Sequence, residues 1–316
     1  PVIVQMRPAI GGAWRHPDAG QDPMAVLAAA ADACQRAEQL EERILILPAQ
    51  SDVELVNRGM LERDLRMALH ANELDVHFQP KIDLNSSTVV GAEALARWQH
   101  PTRGLLQPDG FIALAEDTGL ILDIGEWALH QACTQGAAWA AARPDRPRTV
   151  RVNVSALQLA ETGLLAAVDD SLASSGLDPG LLCLEITETA LLRQTTTAHD
   201  NLIGVHDRGI GIVLDDFGTG YASLTSLRRY PIDLLKIDRS FITDLTAPDH
   251  DDRLVAGILA LAQGLGIAVI AEGVEHPDQA IRLRQLGCPT AQGWLYSRAR
   301  PPEDVIRLLD RTYPHP

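Results

Sequence analysis

Short apolar runs alternate with helical patterns along most of the chain, and from residue 71 onward this alternation predicts βα units around a parallel sheet. Eight strands are predicted, near 74–79, 88–94, 149–153, 181–186, 209–214, 232–237, 267–271 and 289–294. Eight strands over about 245 residues are typical of a (β/α)8 TIM barrel. The first two lie too close together for a crossover helix, so residues 74–95 are predicted to pair antiparallel across 84–88. The predicted fold is therefore α/β, a modified TIM barrel with an antiparallel first strand.

Residues 1–50 are predicted to form a small N-terminal α/β remnant. It has a turn at Gly11-Gly12, a helix from Asp22-Pro23 to about Glu41, and a strand over 43–47. Ser51 begins a capping-box pattern, which predicts a connecting helix over 51–71. The barrel domain is expected over 58–312.

Two adjacent acids, Asp215 and Asp216, follow the apolar run that ends at Leu214. Neighbouring residues inside a strand point to opposite faces, so both carboxylates reach one ion only if the strand stops between them. Gly218 and Gly220 permit the loop that this requires. The alternative for this stretch alone is an ordinary Asp-Gly-rich turn.

Polar side chains also appear at the carboxyl ends of the other predicted strands. They are Glu93, Asn153, Glu185, Glu188, Lys236, Glu272 and Gln292. A single such Glu is more often solvated or salt-bridged, and a lone Asn is usually a turn former. Barrel active sites, however, are assembled from the carboxyl ends of several strands, and clustered carboxylates persist mainly when cations neutralise them. The set therefore predicts a metal site.

Oxygen ligands favour Mg²⁺ or Mn²⁺ over zinc, and two such ions can clamp the oxygens of a phosphoryl displacement. Asp215 is the candidate bridging ligand. Lys236 is expected either to orient or deprotonate metal-bound water, or only to balance the carboxylates. Arg97, four residues past Glu93, is expected to bind a phosphate; a surface ion pair is the alternative.

Composition narrows the choice of partners. With 27 basic and 42 acidic residues the formal charge is −15, which argues against binding a nucleic-acid polymer. The four cysteines show no paired spacing and are expected to be buried thiols in a reducing cytoplasm. No apolar run approaches the roughly 18 residues of a membrane span, and no signal peptide opens the chain. We therefore expect a cytoplasmic location. The start at Pro1 without Met predicts a fragment, from which a sensory or membrane-anchoring region is expected to be missing.

Ten motifs in order over about residues 58–310 resemble the EAL family of cyclic di-GMP phosphodiesterases. They are Phe78-Gln79-Pro80, Glu93-Ala94-Leu95 with Arg97, Trp98 with His100-Pro101, Phe111-Ile112 with Ala115-Glu116, Asn153-Val154-Ser155, Glu185-Ile186-Thr187-Glu188, Asp215–Tyr221, Lys236–Phe241, Ala271–Glu275 and Gln292-Gly293. The family pattern differs at Phe78, usually Tyr, and at Ala299, usually Pro. Residues 31–47 more distantly resemble the end of a GGDEF domain, but no GGDEF signature is present, so no cyclase activity is inferred.

The resemblance implies hydrolysis of cyclic di-GMP to linear 5′-pGpG with two Mg²⁺ or Mn²⁺ ions, and a homodimer. The implied metal ligands are Glu93, Asn153, Glu185, Asp215 and Asp216. Lys236 and Glu272 would lie near the nucleophilic water, Glu188 would steady the loop after Asp216, and Gln292 would orient water or ligand. The implied substrate contacts are Gln79, Leu95, Arg97, Asp238 and Glu275. Two alternatives are a non-catalytic cyclic di-GMP receptor that signals to a protein partner and a different metal-dependent barrel enzyme such as a lyase.

Overall fold

The computed structural model describes residues 10–14, 23–39, 44–48, 52–192, 195–218, 227, 229–245 and 252–313. The chain divides into two compact units, Pro1–Met67 and Ala68–Pro316. Within the described residues, no helix combines the length and apolarity that a membrane crossing requires.

The first unit contains a βαβ arrangement. Strands β1 (Ile10–Trp14) and β2 (Ile44–Pro48) are parallel and are connected through helix α1 (Pro23–Gln39). The turn predicted at Gly11-Gly12 is wrong, because both glycines lie inside β1. A Cβ on Gly11 would lie 2.1 Å from the backbone nitrogen of Cys34, so the glycine lets the strand approach α1 closely. Asp22, residues 40–43 and Ser51 lie outside the described residues.

Helix α2 (Asp52–Ala68) is shorter than the predicted connecting helix, which was expected to reach residue 71. Its end is set by the backbone at Asn72, where φ is 55°. That conformation lets the Glu73 N–H donate to the Ala68 carbonyl at 3.1 Å, which satisfies a helix-terminal acceptor.

The second unit is a closed barrel. Its eight strands are β3 (Leu74–Asp83), β4 (Val89–His100), β6 (Thr149–Asn153), β7 (Leu182–Thr187), β8 (Gly211–Phe217), β9 (Leu234–Ile237), β10 (Ala268–Ala271) and β11 (Thr290–Gln292). The order around the sheet is β3-β11-β10-β9-β8-β7-β6-β4, and pairing of β3 with β4 closes the ring. Because β3 runs antiparallel to both neighbours, the predicted modified barrel is confirmed.

A further strand, β5 (Gly104–Leu106), pairs with the end of β4 outside the ring and was not predicted. Helices alternate with the strands in this unit, and ten of them have bounds that the structure describes. They are α3 (Ile112–Thr118), α4 (Ile121–Ala142), α5 (Ala156–Leu159), α6 (Leu164–Ser175), α7 (Glu188–Leu192), α8 (Thr196–Asp207), α9 (Ser240–Thr243), α10 (Arg253–Leu265), α11 (Pro277–Gln285) and α12 (Pro302–Leu309). Apolar strand residues such as Ile212, Leu235 and Ile237 are fully buried in the core.

All four cysteines are free thiols, as expected. The prediction that all four are buried is wrong: Cys133 and Cys288 are buried, whereas Cys34 and Cys183 are partly exposed. Burial raises the pKa of both Cys133 and Cys288 to about 12, so these two thiols stay protonated.

Candidate active site

Three acids on separate strands, together with Glu272 directly after β10, converge on the ammonium group of Lys236, which lies on β9. Its Nζ lies 2.7 Å from Glu272 Oε1, 2.9 Å from Glu185 Oε2, 3.0 Å from Asp215 Oδ2 and 3.5 Å from Glu93 Oε2. The side chains of Lys236 and Glu185 are almost completely buried. Parallel strands end at the same rim of a barrel, which is why residues so far apart in sequence meet here.

Glu93 on β4 is held by two amide side chains. Asn153 Nδ2 donates to its Oε1 at 2.9 Å, and Gln292 Nε2 donates to its Oε2 at 2.6 Å. Gln292 Nε2 also lies 3.2 Å from Gln79 Oε1, and Gln79 is directly opposite Glu93 in the antiparallel pair. Among the described residues the buried Oε1 of Gln292 has no hydrogen-bond partner, so an acceptor remains for water or ligand.

Asp215 and Asp216 both lie inside β8, so the prediction that the strand stops between them is wrong. Instead, the pairing of β8 with β9 becomes irregular between Leu214 and Phe217, and Asp216 has a φ of 54°. A bulge of this kind can re-aim a side chain, and Asp tolerates the left-handed conformation better than most residues. Carboxylate oxygens of Asp215, Asp216 and Glu272 lie within 4.8 Å of one another.

The carboxylates compete for few positive charges. Burial, reinforced by the charge of Glu93, raises the pKa of Glu185 to about 7, and burial raises that of Glu272 to about 8. Burial opposes the ionisation of Glu93, but Lys236 and the two amide donors outweigh it and lower its pKa. Burial likewise opposes the charge on Lys236, yet its carboxylate neighbours raise its pKa well above the usual value. Lys236 is therefore an ammonium in this arrangement.

This donor set fits hard divalent cations. Among the described residues, the partners of the Lys236 ammonium are carboxylate oxygens, and the raised pKa values of Glu185 and Glu272 reveal excess negative charge. The oxygens of Asp215, Asp216 and Glu272 are close enough together to hold one ion.

Two buried basic residues near the acids, Arg151 and Lys81, were missed in the sequence. Arg151 on β6 lies with its Nη1 3.4 Å from Glu185 Oε1, and both side chains are buried. Burial, with repulsion from Arg151, lowers the pKa of Lys81 on β3 to about 7. A signal for Arg151 was present: it is two residues before Asn153, so period-two alternation places both on the same strand face.

The remaining predicted residues lie around this centre. Glu188, the first residue of α7, accepts a hydrogen bond from Gly218 N at 3.3 Å. Asp238 follows β9 and accepts from Ser240 N at 3.0 Å. Glu275 is exposed. Arg97 is buried, not at the surface, and its Nη1 donates to the carbonyls of Leu95 and Ala96.

A cavity of about 540 Å³ adjoins Glu93, Asn153 and Glu185. Most of its wall is apolar and comes from β4 and helices α3 and α4, including Leu95, Ile112 and Ile124. A concave, mainly apolar pocket with a few polar groups at one end is typical of a small-molecule site. The cavity therefore places apolar surface next to the acidic centre.

The family model described as "EAL domain" matches residues 62–299. The chain belongs to the EAL domain family. This barrel therefore carries its acidic centre in the part that the family model covers, since Glu93, Glu185, Asp215 and Glu272 all lie within the match.

Two curated EAL relatives come from Pseudomonas aeruginosa. The bifunctional diguanylate cyclase/cyclic di-GMP phosphodiesterase MucR is 41% identical over 258 residues, which cover 82% of this chain and 37% of MucR. The cyclic di-GMP phosphodiesterase NbdA is 41% identical over 263 residues, which cover 83% of this chain and 33% of NbdA. This chain thus spans less than half the length of these relatives.

A solved structure of the PaMucR phosphodiesterase in complex with cyclic di-GMP is similar to this fold, with a TM-score of 0.74 and 42% identity. The similarity covers 78% of this chain and 99% of that one. EAL phosphodiesterases depend on metal ions, and the acidic cluster of this chain is consistent with that requirement.

Proposed function

We propose that this chain hydrolyses one phosphodiester bond of cyclic di-GMP and releases linear 5′-pGpG. The observation that carries the proposal is the convergence of Glu93, Glu185, Asp215 and Glu272 on one ammonium group inside an EAL barrel. The names of MucR and NbdA support the same activity and substrate.

The proposed cofactors are two Mg²⁺ or Mn²⁺ ions. Glu93, Asn153, Glu185, Asp215 and Asp216 would hold them, and Asp215 would be the ligand that both ions share. When bound, the ions supply Lewis-acid stabilisation of the phosphoryl oxygens and make water a better nucleophile at neutral pH. The deep burial of Glu185 and Glu93 keeps bulk water away from these ligands, which strengthens their electrostatic attraction for cations.

Around the ligands, Lys236 and Glu272 are proposed to position the attacking water. Lys236 offers a fixed positive charge to the developing negative charge on phosphorus-bound oxygen, and Glu272, 2.7 Å from it, offers an acceptor for a water proton. The Oε1 of Gln292, which has no partner in the described part of the chain, is a second acceptor for a water hydrogen or a ligand N–H. Glu188 holds the segment after Asp216 through Gly218 N.

Substrate binding is assigned to the cavity and its edge. Leu95 lies in the apolar wall, which suits the face of a guanine base. Arg97, held beside Leu95 by backbone carbonyls, is the proposed phosphate contact. Gln79, which lies next to Gln292, together with Asp238 and Glu275, completes the proposed set of polar contacts.

The test is turnover of cyclic di-GMP with Mn²⁺ or Mg²⁺, with the product identified by chromatography. We expect the parent chain to release pGpG and Glu93→Ala and Lys236→Ala to lose nearly all turnover. Tight binding of cyclic di-GMP without turnover in either metal would overturn the proposal and favour the non-catalytic receptor.

We also propose that the active protein is a homodimer in the cytoplasm, with residues 1–50 as the end of a GGDEF-like domain, 51–71 as connector and 58–312 as the phosphodiesterase barrel. The parallel β1–β2 pair with its crossover helix supports the origin of residues 1–50 in a larger parallel sheet. Analytical ultracentrifugation tests the dimer; a monomer at concentrations that give full turnover would contradict it.

A further inference from the structure

Trp294 is an exposed aromatic side chain on the turn that follows β11, just after Gln292. It is 53% exposed, whereas Trp98 and Trp139 are buried. The guanidinium of Arg298 lies over its ring, with Cζ 3.8 Å from the ring centroid. An Arg stacked on an indole forms a flat cationic surface, which suits an electron-rich ring beside a phosphate.

This turn is fixed to the rim of the acidic centre on two sides. Leu295 N donates to the Val274 carbonyl at 3.0 Å, and a Cβ on Gly293 would lie 2.1 Å from that same carbonyl oxygen. On the other side Gln79 Nε2 donates to the Ser297 carbonyl at 3.1 Å. Because only glycine permits such close approach, the turn is anchored by backbone contacts.

A chain of hydrogen bonds joins the turn to the acids. Gln292 Nε2 lies within hydrogen-bond distance of both Glu93 Oε2 and Gln79 Oε1, and Gln79 in turn holds Ser297, the neighbour of Arg298. The Trp294–Arg298 pair therefore has a defined place relative to the acidic centre.

The cavity described above lies on the other side of these hydrogen bonds from the turn. Its wall includes residues of β4 and β6, whereas the turn follows β11, and β3 lies between β4 and β11 in the ring. Cyclic di-GMP carries two guanine bases on a ring that contains two phosphates. If one base occupies the cavity and the phosphodiester lies at the acidic centre, the second base is directed toward the end of β11.

We propose that Trp294 and Arg298 form the outer guanine subsite, in which the second base of cyclic di-GMP stacks on this pair and Arg298 contacts the adjacent phosphate. The inference rests on the proposed function and deepens it. The pair binds ground state and transition state alike, because it lies away from the reacting bond; its loss is therefore expected in KM and not in kcat.

The experiment measures kcat and KM for cyclic di-GMP in the parent, Trp294→Ala, Trp294→Phe and Arg298→Gln. Stacking of a base on an aromatic ring predicts a KM about tenfold higher for Trp294→Ala, with kcat within about twofold. Trp294→Phe keeps a ring and is expected to restore most of the affinity. Trp14→Ala is the matched control, since Trp14 is 54% exposed but belongs to the first unit.

A second readout does not depend on turnover. Cyclic di-GMP is expected to quench tryptophan fluorescence in the parent and in Trp14→Phe, and to lose most of this quenching in Trp294→Phe. An unchanged KM in Trp294→Ala, or full quenching in Trp294→Phe, overturns the subsite while leaving the proposed function intact. Absence of turnover in the parent would instead count against the proposed function.

Discussion

Gln292 donates a 2.6 Å hydrogen bond to Glu93 although the two residues are 199 positions apart. The bond spans β3, which lies between their strands, and ties the last strand of the barrel to the second. This hydrogen bond also lowers the pKa of Glu93 and so offsets part of the increase that burial causes. Glu93 is therefore prepared as an anion before any cation arrives.

Replacing Gln292 with Leu should weaken Mn²⁺ binding. Outer partners of metal ligands typically contribute about 10-fold to 100-fold in metal affinity or activity, and we expect a loss in that range. Isothermal titration calorimetry with Mn²⁺ measures it. Gln279→Leu is the control, because Gln279 is equally buried but donates to the carbonyls of Ile242 and Thr243. Equal Mn²⁺ affinity in the two variants would contradict the prediction.

Arg151→Met should act through Glu185. Without the buried guanidinium, the pKa of Glu185 is expected to rise further, so that a proton competes more strongly with the metal. We predict about tenfold weaker Mn²⁺ binding at pH 7 and partial recovery in Arg151→Lys. Arg143→Met, which breaks an exposed pair with Asp310, serves as the control. Unchanged Mn²⁺ affinity in Arg151→Met would show that Arg151 is only a packing residue.

Two substitutions of Asp216 distinguish the effect of its charge from the effect of its backbone conformation. Asp216→Asn keeps a side chain that tolerates the observed φ of 54°, so it should lose Mn²⁺ affinity with little change in Tm. Asp216→Ala should lose Mn²⁺ affinity and also about 1 kcal/mol of unfolding free energy, because alanine is strained there. Thermal melts in chelator and Mn²⁺ titrations distinguish the two effects. Equal Tm values for the two variants would refute the strain.

Stability without metal should fall as pH rises. Glu185 and Glu272 have pKa values of about 7 and about 8 in the fold, against an ordinary value of 4.5, so the folded state binds their protons more tightly than the unfolded state. Their contribution is complete below about pH 4.5 and is lost as pH approaches 8. Melts in chelator should show Tm decreasing from about pH 5 to about pH 8, and less so with Mn²⁺, which replaces the protons.

In Glu272→Gln, Tm in chelator should decrease less between about pH 5 and about pH 8. Glu126→Gln is the control, because Glu126 is exposed. A Tm in chelator that rises over the same interval would contradict the raised pKa values.

The barrel was predictable because its signals are local. Each strand is a short apolar run, and the few residues between the first two left no room for a crossover, so the antiparallel pair of β3 and β4 followed. The strand β5 was missed because three residues are too few to show the alternation of apolar and polar positions that indicates a strand. The turn predicted at Gly11-Gly12 is wrong because Gly11 allows β1 to pack closely against the backbone of α1, a contact between separate elements that the local sequence does not show.

The centre itself was predictable only as a set of residue types at strand ends. The bulge at Asp216 depends on the register of β8 against β9, which a single strand does not encode. The hydrogen bonds of Gln292 and the position of Arg151 depend on ring closure and on the depth of each side chain in the barrel. These are properties of tertiary packing.

The central claim is that acids from several strands jointly hold divalent cations over the phosphodiester bond of cyclic di-GMP. Mn²⁺ stoichiometry and turnover, measured together in the parent and in Asp215→Asn, test it most directly. The account predicts about two ions per parent chain, and in Asp215→Asn the loss of at least one ion with a fall in turnover of about 100-fold or more. An Asp215→Asn variant that binds both ions and turns over cyclic di-GMP as fast as the parent would contradict it.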